Sequence, residues 1–289
     1  MWDSIATHIS QVTGQSFAAN QRRSVSGGCI NSGYALSDGQ RAYFVKVNQA
    51  TQIAMFEAEA AGLDDMVATH TIRVPKPICW GTAGNSAYLV LEWLDLGRGD
   101  GNAWLAMGQQ LAAMHRATSA RGFGWKMNNT IGSTPQPNPW TADWVTFWQE
   151  HRIGFQFKLA NRRGGYFPQQ ERLLDAIPQL LAGHDPQPSL VHGDLWSGNA
   201  AVTRAGEPVI FDPATYYGDR EVDLAMTELF GSFPAEFYRA YNDTFPLDSD
   251  YSQRKVLYNL YHILNHFNLF GGSYASQANR MIDQILSWV

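Results

Sequence analysis

One stretch constrains this chain more than any other: Leu190-Val191-His192-Gly193-Asp194-Leu195-Trp196-Ser197-Gly198-Asn199, followed closely by Pro208-Val209-Ile210-Phe211-Asp212-Pro213. An apolar pair leads into a loop that carries His192, Asp194 and, five positions after Asp194, Asn199. A short hydrophobic strand then delivers Asp212 at its end. Taken singly, His192-Gly193-Asp194 is a turn, Asn199 a cap and Asp212 a strand-end residue. In this order, with a strand between the two acidic groups, they describe a site for phosphoryl transfer. Asp194 accepts the proton of a substrate hydroxyl, and Asn199 and Asp212 hold magnesium against nucleotide phosphates.

The bulk properties fit such a site and exclude others. A chain of 289 residues with 45% hydrophobic content can bury a large core in one domain or two lobes. The net charge of −5 argues against nucleic acid or an anionic membrane as the main partner, since binding phosphate backbones needs a basic surplus. No uninterrupted apolar run is long enough to span a bilayer, and the N-terminal residues read as an amphipathic helix. With only two cysteines, Cys29 and Cys79, a reduced cytoplasmic setting is expected. Ten tryptophans exceed what a core alone requires and suit flat or sugar-like ligands.

Periodicity divides the chain into two parts. Residues 1–92 alternate strand and turn signals around one helix, Ile53 to Met66, with a strand at Ala42 to Val47 and another at Ala87 to Leu91. Residues 93–289 read as mainly helical, with helices expected over Trp104–Thr118, Trp140–Phe157, Glu171–Leu181, Arg220–Phe230, Ala235–Asn242 and Ser252–Phe270. The expected fold is therefore α+β and bilobal, protein-kinase-like, with a small β-rich nucleotide-binding lobe and a larger catalytic and substrate-binding lobe. A hinge is placed near Glu92 to Leu96.

Further candidates follow from position. Lys46, flanked by Val45 and Val47, either faces solvent as an ordinary strand lysine or bridges the nucleotide phosphates and a helix carboxylate. Glu59 is the preferred partner, and Glu57 falls on a different face. The glycine-rich segment around Gly27, Gly28, Cys29 and Asn31 lacks the full GxGxxG pattern. Lying before Lys46, it reads as the loop over the phosphates. Glu92 and Leu94 would meet adenine through backbone groups. Cys29 is either a small buried filler or a redox-sensitive thiol able to link a dimer.

The extended text around these residues resembles the fructosamine kinase (ketosamine-3-kinase) family, within the protein-kinase-like and aminoglycoside phosphotransferase-like superfamily. The resemblance rests on His192 to Asn199 and on Asp212-Pro213-Ala214-Thr215-Tyr216-Tyr217-Gly218-Asp219-Arg220-Glu221 with Asp223 to Met226. It also rests on Phe44 to Asn48, Met55 to Glu59, Gly122-Phe123-Gly124, Trp140 with Asp143, Trp144 and Phe147, and Leu264 to Gly271. Trp196 is a specific mark of it. The resemblance implies ATP and Mg2+ as cofactors. It implies phosphorylation of the 3-hydroxyl of a ribulosamine or fructosamine, free or protein-bound, followed by release of the amine, a deglycation. Trp196, Trp140, Trp144, Asp219 and His266 are the candidates for contacting this substrate; the competing readings are core packing for Trp140 and Trp144, a solvated helix start for Asp219 and a satisfied helix histidine for His266. Asp223 reads as structural, capping its helix and bracing the loop of Asp194. An aminoglycoside or choline kinase and a nucleotide-binding pseudokinase remain as alternatives.

Overall fold

The computed structural model describes residues 1–25 and 30–289. Gly27, Gly28 and Cys29, the expected phosphate loop and its thiol, lie outside the described residues. The N-terminal part comprises α1 (Trp2–Thr13), β1 (Gln21–Val25), β2 (Ser32–Ser37), β3 (Ala42–Gln49), α2 (Ile53–Ala68), β4 (Pro77–Ala83) and β5 (Ser86–Glu92). Its strands form one antiparallel sheet in the order β1-β2-β3-β5-β4.

Strand alternation decides which way each β3 side chain faces. Tyr43 and Val45 pack with Ile5 and Ile9 of α1 on one face of the sheet. Phe44 and Lys46 face the other side and line a cavity. Helix α2 covers that second side. Its Phe56, Ala60, Leu63 and Met66 pack on Leu89 and Leu91 of β5. Phe56 and Leu63 are wholly buried, each stabilising the fold by about 1.5–3 kcal/mol relative to an exposed side chain.

The remainder comprises α3 (Gly101–Met114), the hairpin β6 (Asn129–Ile131) and β7 (Thr134–Gln136), α4 (Trp144–Trp148), α5 (Gly154–Arg162), α6 (Gln170–Leu180), β8 (Ser189–Val191), β9 (Ala200–Val202), β10 (Pro208–Ile210), β11 (Tyr216–Gly218), α7 (Glu221–Leu229), α8 (Ala235–Thr244), α9 (Tyr251–Phe270) and α10 (Tyr274–Leu286). The short strands pair as β9 with β10 and β8 with β11, both antiparallel. One apolar cluster runs from α2 and β5 through Met107 and Leu111 of α3 to Leu190, Ile210, Leu224 and Phe237. It ties the sheet to the strands that carry the Asp194 loop and Asp212. A second cluster gathers Trp144, Phe147, Trp148, Tyr258, Leu264, Ile282 and Ile285 under α9 and α10. Among the described residues, no helix is long and apolar enough to cross a membrane.

Three expectations change. The helix expected over Trp140–Phe157 begins at Trp144, because the Asp143 carboxylate accepts the Thr146 amide at 2.8 Å and caps it there. It is then interrupted by a π-helical turn over Gln149–Ile153. Trp140 therefore sits before the helix and does not share a face with Trp144 and Trp148. Helix α3, by contrast, starts earlier than expected, capped by Asp100, whose carboxylate accepts the Ala103 amide at 2.9 Å. Helix α10 was not among the expected elements; its buried stripe of Ala278, Ile282, Ile285 and Leu286 is embedded in polar text.

Candidate active site

Lys46 is where the two parts of the chain meet. Its Nζ donates to Glu59 Oε1 at 2.6 Å and to Asp212 Oδ1 at 2.6 Å. Burial alone would lower its pKa, but the charges of Asp212 and Glu59 outweigh this and raise it above the ordinary lysine value. Glu59 is raised by its own burial, with Lys46 pulling the other way. Glu57 is exposed on the far side of α2.

Asp212 leaves β10 with φ 59, in the left-handed region that costs most residues about 1–2 kcal/mol and that Asp tolerates better than most. This turn aims its carboxylate back toward Lys46 instead of along the strand. The next residues are strapped to the Asp194 loop. The Ala214 amide donates to the His192 carbonyl at 2.9 Å. Gly193, at φ 82, lies so close to Ala214 that a Cβ there would stand 2.2 Å from the Ala214 oxygen, so only glycine fits.

His192 fixes the loop from inside. Its Nε2 lies 2.9 Å from the Phe211 carbonyl, which can only accept, so Nε2 carries the proton. Nδ1 is then free to accept the Asp194 amide at 3.3 Å. Burial lowers the His192 pKa and keeps the ring neutral. Asp223 braces the same loop from below. Its carboxylate accepts the amides of His192 at 2.7 Å and Gly193 at 2.8 Å, and lies 3.0 Å from His115 Nε2. Burial opposes its charge, yet these partners hold its pKa below the usual carboxylate value. Asp223 is the third residue of α7, so it braces the loop without capping the helix.

Asp194 is partly buried near Asp212. Burial first, and the charge of Asp212 second, push its pKa up to about 7. Asn199 donates Nδ2 to the Asp194 carbonyl at 2.8 Å and approaches Asp194 Oδ2 at 3.3 Å. Its amide nitrogen is thus committed, and its oxygen is the atom left to meet a cation.

These groups open on one cavity of about 650 Å³, a size that holds a nucleotide-scale ligand. Asn31, Lys46, Glu59, Glu92, Leu94, Asp194, Trp196, Asn199, Asp212 and His266 all line it. Asn31 is fixed by Asn48 Nδ2, which donates to its Oδ1 at 2.7 Å. Trp196 is 37% exposed and packs over Gly198, where any side chain would collide with the indole. The His266 ring packs against Phe230, Phe270 and Tyr274, with centroids 4.7, 5.6 and 5.1 Å away. Its Nδ1 donates to the His262 carbonyl at 2.7 Å, leaving Nε2 as an acceptor.

Three substrate candidates stand elsewhere. Trp144 is buried in the helical core, its Nε1 donating to Tyr258 Oη at 3.0 Å. Trp140 lies outside the cavity, under the Arg121 guanidinium at 4.5 Å. Asp219 is 1% exposed; its Oδ2 accepts the Tyr258 hydroxyl at 2.6 Å and lies 2.6 Å from His184 Nε2. Asp219, His184 and Glu221 form a cluster of possible metal ligands. Arg254 already supplies its cation, pairing both Glu221 oxygens at 2.7 and 2.8 Å. Asp219 and Trp144 both lie away from the cavity for one reason: tertiary packing turned them inward, which their spacing does not reveal.

The sequence reading missed a buried polar frame behind Asp212. Gln136 Nε2 donates to the Ala214 carbonyl at 3.0 Å, and Asn129 Nδ2 to the Thr215 carbonyl at 2.8 Å. The Tyr261 hydroxyl donates to Gln136 Oε1 at 2.6 Å. These partners are separated by tens of residues, so no local pattern announces them.

A sheet-covered lysine paired with a helix glutamate, facing a loop Asp–Asn pair and a strand-end Asp, defines a phosphotransferase of the protein-kinase-like fold. An aminoglycoside phosphotransferase crystallised with ADP and hygromycin B shares this fold, with a TM-score of 0.64 at 17% identity over 98% of each chain. The chain belongs to the fructosamine kinase family, whose model matches residues 1–288. It is 61% identical over 285 residues to a probable ketoamine kinase of Synechocystis, covering 99% of this chain and 97% of the relative. It is 44% identical over 270 residues to the chloroplastic protein-ribulosamine 3-kinase of Arabidopsis thaliana, covering 91% of this chain and 82% of the relative. The crystal structure of a candidate fructosamine-3-kinase from Haemophilus somnus superposes with a TM-score of 0.93 at 31% identity, covering 99% of this chain and 98% of that one.

Proposed function

We propose that this protein transfers the γ-phosphoryl group of ATP to the 3-hydroxyl of a ketosamine of the ribulosamine or fructosamine type, after which the labile phosphate leads to release of the amine. The observation that carries this reading is the convergence of Lys46, Asp194, Asn199 and Asp212 on one cavity in a member of this family. Relatives named ketoamine kinase and protein-ribulosamine 3-kinase support the substrate class.

In this mechanism the Asp194 carboxylate orients the acceptor hydroxyl and takes its proton as the phosphoryl group transfers. Its raised pKa makes it a better base than an ordinary carboxylate. Lys46, positioned by Glu59, presents a fixed positive charge to the phosphates, and Glu92 and Leu94 line the cavity where adenine would lie. Asp212 and Asn199 fit magnesium, a hard cation that prefers oxygen ligands: one offers a carboxylate and the other a free amide oxygen. When bound, magnesium would neutralise charge on the phosphate oxygens. The acceptor would sit among Trp196, His266 and Phe270. The carboxylates that line the cavity among the described residues are Glu59, Glu92, Asp194 and Asp212; beyond the catalytic Asp194 none is left to bind the acceptor's charge, which disfavours a polycationic aminoglycoside. The cytoplasmic setting belongs to the same proposal.

The test is product identity. Incubation with ATP and a synthetic ribulosamine, followed by phosphorus NMR and mass spectrometry, is expected to show a sugar 3-phosphate and then free amine. Phosphate on another hydroxyl would overturn the regiochemistry.

A further inference from the structure

A buried polar atom without a partner costs a folded protein about 1–3 kcal/mol, so one that persists at the wall of a cavity points to a ligand. Nine buried side-chain atoms lack a hydrogen-bond partner among the described residues, and of the residues that carry them only Asn265 lines the cavity. Asn265 is 2% exposed, and its Oδ1 is the orphan. Neither its Oδ1 nor its Nδ2 bonds to any described residue, in contrast to Asn129 and Asn199 in the same cavity, whose amides are engaged.

The position of Asn265 is set by its helix. It follows Tyr261 by one turn of α9, on the same face. The Tyr261 hydroxyl is tied to Gln136, which holds the Ala214 carbonyl two residues beyond Asp212. Asp194 lines the same cavity as Asn265. His266, the next residue of α9, also lines the cavity and offers a bare Nε2 acceptor. The β6–β7 hairpin packs beside α9, where a Cβ on Gly132 would stand 3.0 Å from Leu269, and adds Thr130, Ile131 and Gly132 to the lining.

We propose that Asn265 is a specificity-determining residue whose side-chain amide grips the acceptor sugar beside the hydroxyl that reacts. This rests on the ketosamine reading and deepens it. A primary amide offers two donors and an acceptor. In an open-chain ketosamine the reacting 3-hydroxyl stands between the 2-carbonyl and the 4-hydroxyl; one amide N–H can donate to that carbonyl and the amide oxygen can accept from the 4-hydroxyl, leaving the 3-hydroxyl proton to Asp194. Cholines and simple alcohols lack that pair, so the same amide left unmatched rejects them.

The experiment compares wild type, Asn265→Leu and Asn265→Asp for turnover of a synthetic ribulosamine, KM for ATP and thermal midpoint. Leucine keeps the volume and removes both polar atoms, whereas aspartate keeps an acceptor and loses the donors. For Asn265→Leu, kcat/KM for the ribulosamine is expected to fall about 10–100-fold. KM for ATP is expected to stay unchanged and the melting temperature to stay level or rise, because an orphan has been removed. Asn265→Asp should retain the fold and lose the same turnover, which keeps the test decisive if the leucine variant misfolds. Unchanged kcat/KM in both variants, or a fall in stability with a parallel loss of ATP affinity, would overturn the proposal. A wild-type enzyme that binds ATP but turns over no ketosamine would instead overturn the reading on which it rests.

Discussion

Lys46 and Asp212, 166 positions apart in sequence, meet at 2.6 Å, and Glu59 holds the same ammonium from the other side at 2.6 Å. The lysine is buried and the aspartate is partly open to the cavity. Nucleotide entry must therefore redistribute a contact that already exists, with the Lys46 charge moving from Asp212 toward phosphate. Lys46→Met is expected to lower kcat about 10²–10³-fold, the usual loss for a charge aimed at the transition state. The fold should survive, because Glu59, already raised in pKa by burial, can take up a proton once its partner is gone. Steady-state kinetics with circular dichroism check both, and an unchanged kcat would remove Lys46 from the mechanism.

The Asp194 pKa of about 7 makes a pH prediction. The base works only when ionised, so kcat/KM should rise with pH and level off above this value, falling about tenfold per pH unit below it. The stability effect has the opposite direction. A folded-state pKa above the ordinary 3.8 means that the charged form is disfavoured by folding, so this group's contribution declines as pH rises from about 4 to about 7. Asp194→Asn should therefore be inactive yet melt higher than wild type at pH above 7, as scanning calorimetry would show.

Asp223 behaves conversely. Its folded pKa is depressed, so its stabilisation is present above the ordinary carboxylate pKa and is lost as pH falls below it. Asp223→Ala would strand the amides of His192 and Gly193 and break the contact with His115. A loss of about 3–5 kcal/mol is expected, the range for breaking a buried charged partner. Denaturant unfolding at neutral pH measures it, and a loss of a few tenths of a kcal/mol would show that the loop is braced elsewhere.

The tryptophans separate packing from recognition. Trp144→Ala should destabilise by about 3–5 kcal/mol through the cavity it leaves under α9. Trp196→Ala, at an exposed position on the cavity wall, should leave stability within about 0.5 kcal/mol and raise KM for the acceptor. Equal effects on stability would refute this division of roles.

The chemistry-bearing residues were legible because each sits in a short local pattern. The strand around Lys46, the loop from His192 to Asn199 and the strand ending at Asp212 announce themselves by alternation and spacing. The Lys46–Glu59 pairing was legible too, since helical phase separates Glu59 from Glu57. What stayed hidden depends on contacts between distant segments. The inward turn of Trp144 and Asp219 follows from Tyr258. The frame of Asn129, Gln136 and Tyr261 behind Asp212 joins three elements that share no motif. Helix starts at Gly101 and Trp144 were set by the Asp100 and Asp143 caps, a local signal that hydrophobic spacing alone passes over.

The central claim is that Asp194 serves phosphoryl transfer from ATP to a ketosamine. ATP consumption measured in parallel with a ribulosamine, a fructosamine, choline and kanamycin tests it most directly, with Asp194→Asn as control. The account predicts turnover with the ketosamines alone, abolished in the variant. Turnover with choline or kanamycin but not with the ketosamines, or ketosamine turnover undiminished in Asp194→Asn, would contradict it.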